Sequence, residues 1–283
     1  MYRIVSKDQL NAWVTRMSIE APLIARKAKP GQFIIFCIDE FGERVPLTIA
    51  DTDPEEGSVT IIFQAVGKAT RSLAVLEVGD TLQDFVGPLG VPSALEGYTR
   101  ACVIGGGVGS AIAYPSAKYL HQLGAKVDVI AGFRNQEIVI LEEEFSRVSD
   151  RLYIMTDDGS YGEKGFVTAK LEERLAEGAD YDLVVAIGPV GMMRGVTELT
   201  KDAGIKTLVS LNPIMVDGTG MCGGCRVSVD GETKFACVDG PEFDGHAVDF
   251  ADLQLRNRAY LDREEEADHL CRIGLAQQQA EVN

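Results

Sequence analysis

Asp217, Cys222, Cys225 and Cys237 are the residues best suited, by type and spacing, to hold metal in this chain. Three of the six cysteines follow one another here, behind the run Asp217-Gly218-Thr219-Gly220-Met221-Cys222-Gly223-Gly224-Cys225. The pattern is Asp-x4-Cys-x2-Cys-x11-Cys. A plant-type [2Fe–2S] cluster takes Cys-x4-Cys-x2-Cys and a distant fourth cysteine, so the register fits with aspartate in first place. Glycines at 218, 220, 223 and 224 suit a loop wrapped closely around sulfide, because glycine adopts positive φ without steric cost. Such a loop turns backbone N–H groups inward, where they tune a cluster's potential. Zinc is the competing ligand, since Cys-x2-Cys is also a zinc signature, but no second knuckle is present. Inert buried thiols and a disulfide are the remaining readings, and nothing in the chain suggests the export that favours a disulfide.

A second group of residues suits phosphate. Gly105-Gly106-Gly107-Val108-Gly109 follows the short apolar strand Ala101–Ile104 and precedes a helical pattern from Ile112 to Leu123. Strand, glycine loop and helix in that order place dinucleotide phosphates against open backbone and a helix N-terminus. Gly188-Pro189 closes a later strand in the same way. Gly67-Lys68-Ala69-Thr70-Arg71 opens another expected helix behind a strand, a setting that suits a pyrophosphate; strand edge and helix cap are the plainer alternatives. Arg44-Val45-Pro46-Leu47-Thr48-Ile49 joins a charge, a proline and a hydroxyl on one strand. His121 falls within a helix and reads as structural, and Met192-Met193 as packing.

These groups need elements to position them. Gln32–Ile38 and Ser58–Gln64 are rich in β-branched and aromatic residues and are bounded by Gly, Pro and Asp turns, which predicts a small antiparallel barrel. From residue 99, strands expected at 101–104, 126–132, 152–156, 181–187 and 206–211 alternate with helices, which predicts a doubly wound parallel sheet. The predicted division is an N-terminal barrel over 1–98, a nucleotide-binding domain over 99–211, a cluster subdomain over 212–250 and a helical tail over 251–283. The tail's charge does not require a home in this chain's core, so docking on a partner is expected. Its end, Gln277–Gln279, is expected to fray.

The totals bound the function. Two domains suit 283 residues. A net charge of −16 argues against a general nucleic-acid binder. The N-terminus lacks a signal-peptide core and no apolar run is long enough for a membrane span, so a cytoplasmic protein is expected.

The order of barrel, phosphate-type helix, nucleotide sheet and cysteine loop resembles the ferredoxin–NADP reductase superfamily. Closer in pattern are the electron-transfer subunit of NAD-linked dihydroorotate dehydrogenase and the small subunit of NADH-dependent reduced ferredoxin:NADP oxidoreductase (the Nfn family). The superfamily binds FAD through Arg-x-Tyr-Ser/Thr. Leu47 and Thr48 stand at its last two places, Val45 at the arginine place, and Arg44 one residue early. The resemblance implies FAD contacts at Pro46, Leu47, Thr48, Val66, Gly67 and Thr70. It implies nicotinamide-dinucleotide contacts at Gly105, Gly106, Gly107, Gly109, Gly188 and Pro189. Asp217 departs from the four cysteines of the dihydroorotate dehydrogenase subunits and matches the Nfn small subunit, which implies cluster ligation by Asp217, Cys222, Cys225 and Cys237.

The expected protein is thus an oxidoreductase subunit passing electrons between NAD(H), FAD and a [2Fe–2S] cluster, with NADP(H) possible. Asp128 and Arg134 are the residues that bear on that choice, and the resemblance favours NADH. The implied partner is a large glutamate-synthase-like iron–sulfur flavoprotein, forming a heterodimer that serves ferredoxin by electron bifurcation. The alternatives are the dihydroorotate dehydrogenase role and a zinc-stabilised nucleotide-binding regulator. No general acid or base is expected, because the chemistry belongs to the cofactors.

Overall fold

The computed structural model of the chain describes residues 1–270. Its N-terminal part is a seven-stranded antiparallel sheet: β1 (Tyr2–Gln9), β2 (Val14–Glu20), β3 (Phe33–Cys37), β4 (Val45–Asp53), β5 (Ser58–Gln64), β6 (Thr81–Leu82) and β7 (Asp84–Leu89). The strand order is β6-β1-β2-β5-β4-β3-β7. The two edge strands are thus neighbours in the chain, and Gln83 between them donates its N–H to Cys37 O at 3.1 Å. The sheet nearly closes, which removes the exposed edges that an open sheet presents. Its interior holds Ile4, Met17, Ile19, Ile34, Phe36, Val59, Ile61, Phe63 and Phe85. A short α1 (Pro22–Ala25) covers one end, and α2 (Lys68–Ala74) follows β5.

The second sheet carries β8 (Arg100–Gly106), β9 (Lys126–Phe133), β10 (Arg151–Thr156), β11 (Glu163–Lys164), β12 (Leu183–Ile187) and β13 (Lys206–Ser210). Between them run α3 (Gly109–Gln122), α4 (Glu142–Arg147), α5 (Val167–Ala176) and α6 (Val190–Asp202). The order β11-β10-β9-β8-β12-β13 is parallel throughout and reverses direction at β8. Ligands bind where that order reverses, at the carboxyl ends of the strands. β12 is buried along its whole length, as a strand covered by helices on both faces must be.

The cysteine segment is woven into this frame. β14 (Arg226–Val229) and β15 (Glu232–Phe235) form a hairpin whose turn, Asp230-Gly231, has φ of 54° and 73°. This is the positive-φ pair that a two-residue hairpin turn requires. Cys237 sits in the helical turn α7 (Ala236–Asp239). β16 (Glu242–Asp244) then joins the second sheet antiparallel to β13, a strand that the parallel-sheet expectation lacked.

The tail departs from expectation in its first part. α8 (Phe250–Arg256) buries Phe250 and Leu253 in the same core as Val196 and Val209. Arg256 Nε donates to Arg226 O at 3.0 Å, and Asn257 Nδ2 to Asn212 O at 3.3 Å. This stretch therefore has a home in its own chain. Residues 261–270 form a further helix, and Asp268 meets Arg71 of α2 at 2.6 Å. The remaining tail, 271–283, with Gln277–Gln279, lies outside the described residues. Among the described residues no helix is long and apolar enough to cross a membrane.

Candidate functional site

One cleft of about 1430 Å³ runs between the barrel and the second sheet. A small-molecule pocket is typically about 300–1,000 Å³, so this one has room for more than a single small ligand. Its barrel wall is the aligned ends of four adjacent strands. Trp13 enters β2, Gln64 leaves β5, Pro46, Leu47 and Thr48 open β4, and Phe33 opens β3. The pairings Val14 with Gln64 and Phe33 with Thr48 fix that alignment. Val66 and Thr70, at the start of α2, continue the wall. Thr70 Oγ1 accepts the N–H groups of Val66 and Gly67, each at 3.1 Å. The hydroxyl therefore shapes the turn. Gly67 stands at the N-cap of α2.

The opposite wall is built from Gly106, Gly107 and Gly109 at the start of α3, and Gly188, Pro189 and Gly191 at the start of α6. Neither helix N-terminus has a side-chain cap. Two positive helix ends therefore open on one cleft, an arrangement that favours an anionic diphosphate. The glycines serve different ends. A Cβ at Gly105 would lie 2.5 Å from Ser110 Cα, and one at Gly106 would lie 2.6 Å from Met192 Sδ. At Gly109 it would press on Ile187 O and lie 2.8 Å from Gly188 Cα. Gly107 has φ +58° and nothing within 4 Å of that position, so its backbone is open to the cleft.

The far end of the cleft is formed by Leu211, Asn212, Pro213, Met215 and Pro241, from the segments that flank the cysteines. Beyond them Cys225 and Cys237 are buried with their sulfurs 3.2 Å apart, while Cys222 is exposed. Asp217 Oδ1 accepts the N–H of Thr219 and Oδ2 that of Cys222, both at 2.9 Å. These bonds, Thr219's first, hold the Asp217 carboxyl below the usual carboxylate range. Gly224 N–H points to Cys222 Sγ at 3.4 Å. Burial, then the adjoining Cys225 sulfur, push the Cys237 thiol up. Gly218, Gly220 and Gly223 have φ of 74°, 79° and 68°. Gly224 is not left-handed.

The potential ligands thus stand as two pairs, Asp217 bonded to the Cys222 amide and Cys225 beside Cys237, and among the described residues no three of them converge on one point as a ready-made metal site. An ionised carboxylate keeps acceptor capacity after two hydrogen bonds. Three thiols and a carboxylate in glycine-turned backbone, with one amide already aimed at sulfur, fit an iron–sulfur group. Asp239, beside Cys237 in α7, likewise accepts a backbone N–H, from Phe235 to Oδ2 at 2.7 Å.

Of the residues expected around the cofactors, all line the cleft except Gly67 and Gly105, which adjoin the lining residues Val66 and Gly106 in the chain. Asp128 is absent from it. It lies near the start of β9, half a strand from the ligand end, and is held by Tyr181 Oη at 2.7 Å and Arg174 at 3.9 Å. It follows Gly109 by 19 residues, a distance that suits a ribose ligand, but it sits within the strand and not at its end, as its place in the sequence indicates. Arg134 does line the cleft. Arg44 pairs with Asp84 at 3.2 Å and is not part of the lining. Trp13, Phe33, Gln64, Asn212 and Met215 also line it and carried no motif. Trp13 alone offered a signal, as the chain's one tryptophan. His121 is exposed on α3; of the two methionines read as packing, Met193 of α6 is fully buried, whereas Met192 lines the cleft.

Comparison with known proteins agrees with this geometry. The family model for the iron–sulfur cluster binding domain of dihydroorotate dehydrogenase B matches residues 212–249. The chain is 45% identical over 260 residues, covering 92% of it and 90% of the relative, to a homolog of the dihydroorotate dehydrogenase B (NAD(+)) electron transfer subunit in Thermotoga maritima. It is 34% identical over 250 residues to that electron transfer subunit in Shouchella clausii, covering 85% of this chain and 94% of the relative. A solved structure described for flavin-based electron bifurcation by NADH-dependent reduced ferredoxin-NADP oxidoreductase superposes with a TM-score of 0.89 at 43% identity, covering 94% of this chain and 96% of that one. The chain belongs to the family of dihydroorotate dehydrogenase B electron-transfer subunits and NADH-dependent reduced ferredoxin-NADP oxidoreductase subunits, oxidoreductase subunits with flavin, nicotinamide and iron–sulfur cofactors on a ferredoxin–NADP reductase fold.

Proposed function

We propose that this chain is the small subunit of a bifurcating complex that exchanges electrons between NADH, NADPH and ferredoxin. Its partner is a large glutamate-synthase-like flavoprotein carrying further iron–sulfur clusters. The observation that carries the reading is continuity. A single cleft joins the Thr48 and Thr70 wall, the two helix N-termini and the residues that flank the cysteine segment, Leu211 to Met215 and Pro241.

The residues divide the work. Gly107 and the amides at the starts of α3 and α6 receive a nicotinamide dinucleotide. Pro46, Leu47 and Thr48 present a flat strand end to a flavin ring, and the Gly67–Thr70 turn holds its diphosphate. Asp217, Cys222, Cys225 and Cys237 hold the cluster. When bound, these groups supply hydride transfer and one-electron relay. The chain orients them and keeps water from the buried side of the loop, where Cys225 and Cys237 are each 1% exposed. The zinc-stabilised regulator is set aside by the family match.

The dihydroorotate dehydrogenase role stands second, favoured by the names that the sequence relatives carry. Asp217 in the place of a first cysteine supports the bifurcating reading over it. Purification from the native cell without air, followed by mass spectrometry, tests the choice. A glutamate-synthase-like flavoprotein is the expected companion. A dihydroorotate dehydrogenase catalytic subunit in its place would reverse the order of the two readings.

A further inference from the structure

We infer that Trp13 is the platform for the adenine of the flavin dinucleotide, an inference that rests on the flavoprotein reading above. Trp13 is 44% exposed, although large aromatic rings usually gain from burial. It lines the cleft and has no ring partner or hydrogen bond through its indole N–H among the described residues. The other barrel aromatics on that wall, Phe33 and Phe63, are 3% and 1% exposed and spent on the core.

The backbone that carries the ring is nonetheless held in place. Asn11 Oδ1 accepts the N–H groups of Trp13 and Val14, both at 2.9 Å. Trp13 O accepts the N–H of Ala65 at 3.0 Å. Ala65 leads directly into Val66, Gly67 and the start of α2. The turn that bears Trp13 is therefore tied to the turn assigned to the diphosphate. An aromatic side chain on anchored backbone has only its own two torsions to lose when it binds.

Strand order decides which end of the dinucleotide meets it. Along the wall the sequence is β2, β5, β4, β3, so Trp13 and Thr48 lie on opposite sides of the β5 end and the Val66–Thr70 turn. At about 4.8 Å per strand, Trp13 and Phe33 are separated by roughly 14 Å. The β3 side adjoins the cysteine segment: Phe33 and Ile35 share a core with Met215, Cys225 and Cys237, and Ile35 lies against Gly218. The redox ring belongs on that side, where its electrons have a destination. The diphosphate occupies the middle. What remains for Trp13 is the adenine, whose π-face an indole stacks well.

The test compares FAD with FMN, which shares the redox ring but lacks the adenosine. Dissociation constants are measured by flavin fluorescence on the full chain after flavin removal, for the wild type, Trp13→Ala, Trp13→Leu and Trp13→Phe, with circular dichroism to confirm folding. Base stacking on an aromatic predicts that Trp13→Ala and Trp13→Leu weaken FAD about tenfold or more. Trp13→Phe should largely keep it, and FMN binding should not change in any variant. The leucine variant keeps apolar bulk and carries the test if alanine impairs folding. FAD affinity unchanged in the leucine variant, or FAD and FMN weakened alike, would overturn the assignment while leaving the flavoprotein reading intact. A wild-type chain that binds neither flavin would overturn both.

Discussion

The loop at Gly105–Gly109 and the loop at Asp217–Cys225 look alike in composition, each rich in glycine around a functional group. They use glycine for opposite reasons. In the first, Gly105, Gly106 and Gly109 have ordinary backbone and no room, because β8, α3 and β12 meet there. In the second, Gly218, Gly220 and Gly223 have positive φ, and the loop bends in ways other residues resist. A glycine count cannot separate these cases. One loop is a packing joint whose ligand surface is a by-product of closeness. The other is a shaped sleeve, and its only tight neighbours are side-chain methyls of Ile35, Leu89 and Val238.

The contrast breaks first at Gly109. Gly109→Ala presses a methyl on Ile187 O and Gly188 Cα, both backbone, so nothing can rotate away. The expected loss is about 3 kcal/mol or more, from overpacking at a joint between two elements. Chemical denaturation would show it, and a wild-type midpoint would contradict the packing argument.

Strand β16, which follows the cysteine segment, gives the next effect. Both carboxylate oxygens of Glu242 are shielded and without a hydrogen-bond partner. Burial raises its carboxyl from the ordinary 4.5 to about 7, against a smaller opposing effect of the Ser93 hydroxyl. The folded chain then keeps a proton that the unfolded chain releases, so stability falls as pH rises from about 4.5 through about 7. The full loss is about 3 kcal/mol. Glu242→Gln should flatten that slope in the cluster-free protein. An unchanged slope would show that another group carries it.

Gly218→Ala comes third. It combines a left-handed backbone, worth about 1–2 kcal/mol against alanine, with contacts at 2.7 and 2.8 Å to the flexible Ile35 and Leu89 side chains. The fold should survive while iron per chain falls. Full iron content would mean that the sleeve tolerates a side chain.

Gly107→Ala is the smallest, about 1 kcal/mol, since only the backbone conformation opposes it. Gly107→Glu should be equally well folded yet respond poorly to NADH, because it sets a negative charge beside phosphate. A normal NADH response in that variant would remove Gly107 from the dinucleotide site.

The sequence was legible where a local pattern reflects a local cause. The runs Phe33–Cys37 and Ser58–Gln64 alternate or bury as strands must, and the cysteine spacing needs no tertiary context. It was illegible where the cause is distant. Glu242-Phe243-Asp244 is too short to show a period, and only its pairing with β13 makes it a strand. Asp128 had a suitable sequence distance, but its partner Tyr181 comes from the stretch before β12. The charged surface of α8 hid Phe250 and Leu253, two apolar residues that suffice to anchor it.

The central claim is that one path joins nicotinamide, flavin and cluster within this chain. Its most direct test is an anaerobic titration of the purified full chain with NADH, followed by visible absorption and electron paramagnetic resonance. Both the flavin bands and the cluster bands should bleach with NADH alone, and a reduced [2Fe–2S] signal should appear. A protein with no flavin or iron, or a flavin that bleaches while a cluster poised to accept electrons stays oxidised, would contradict the account.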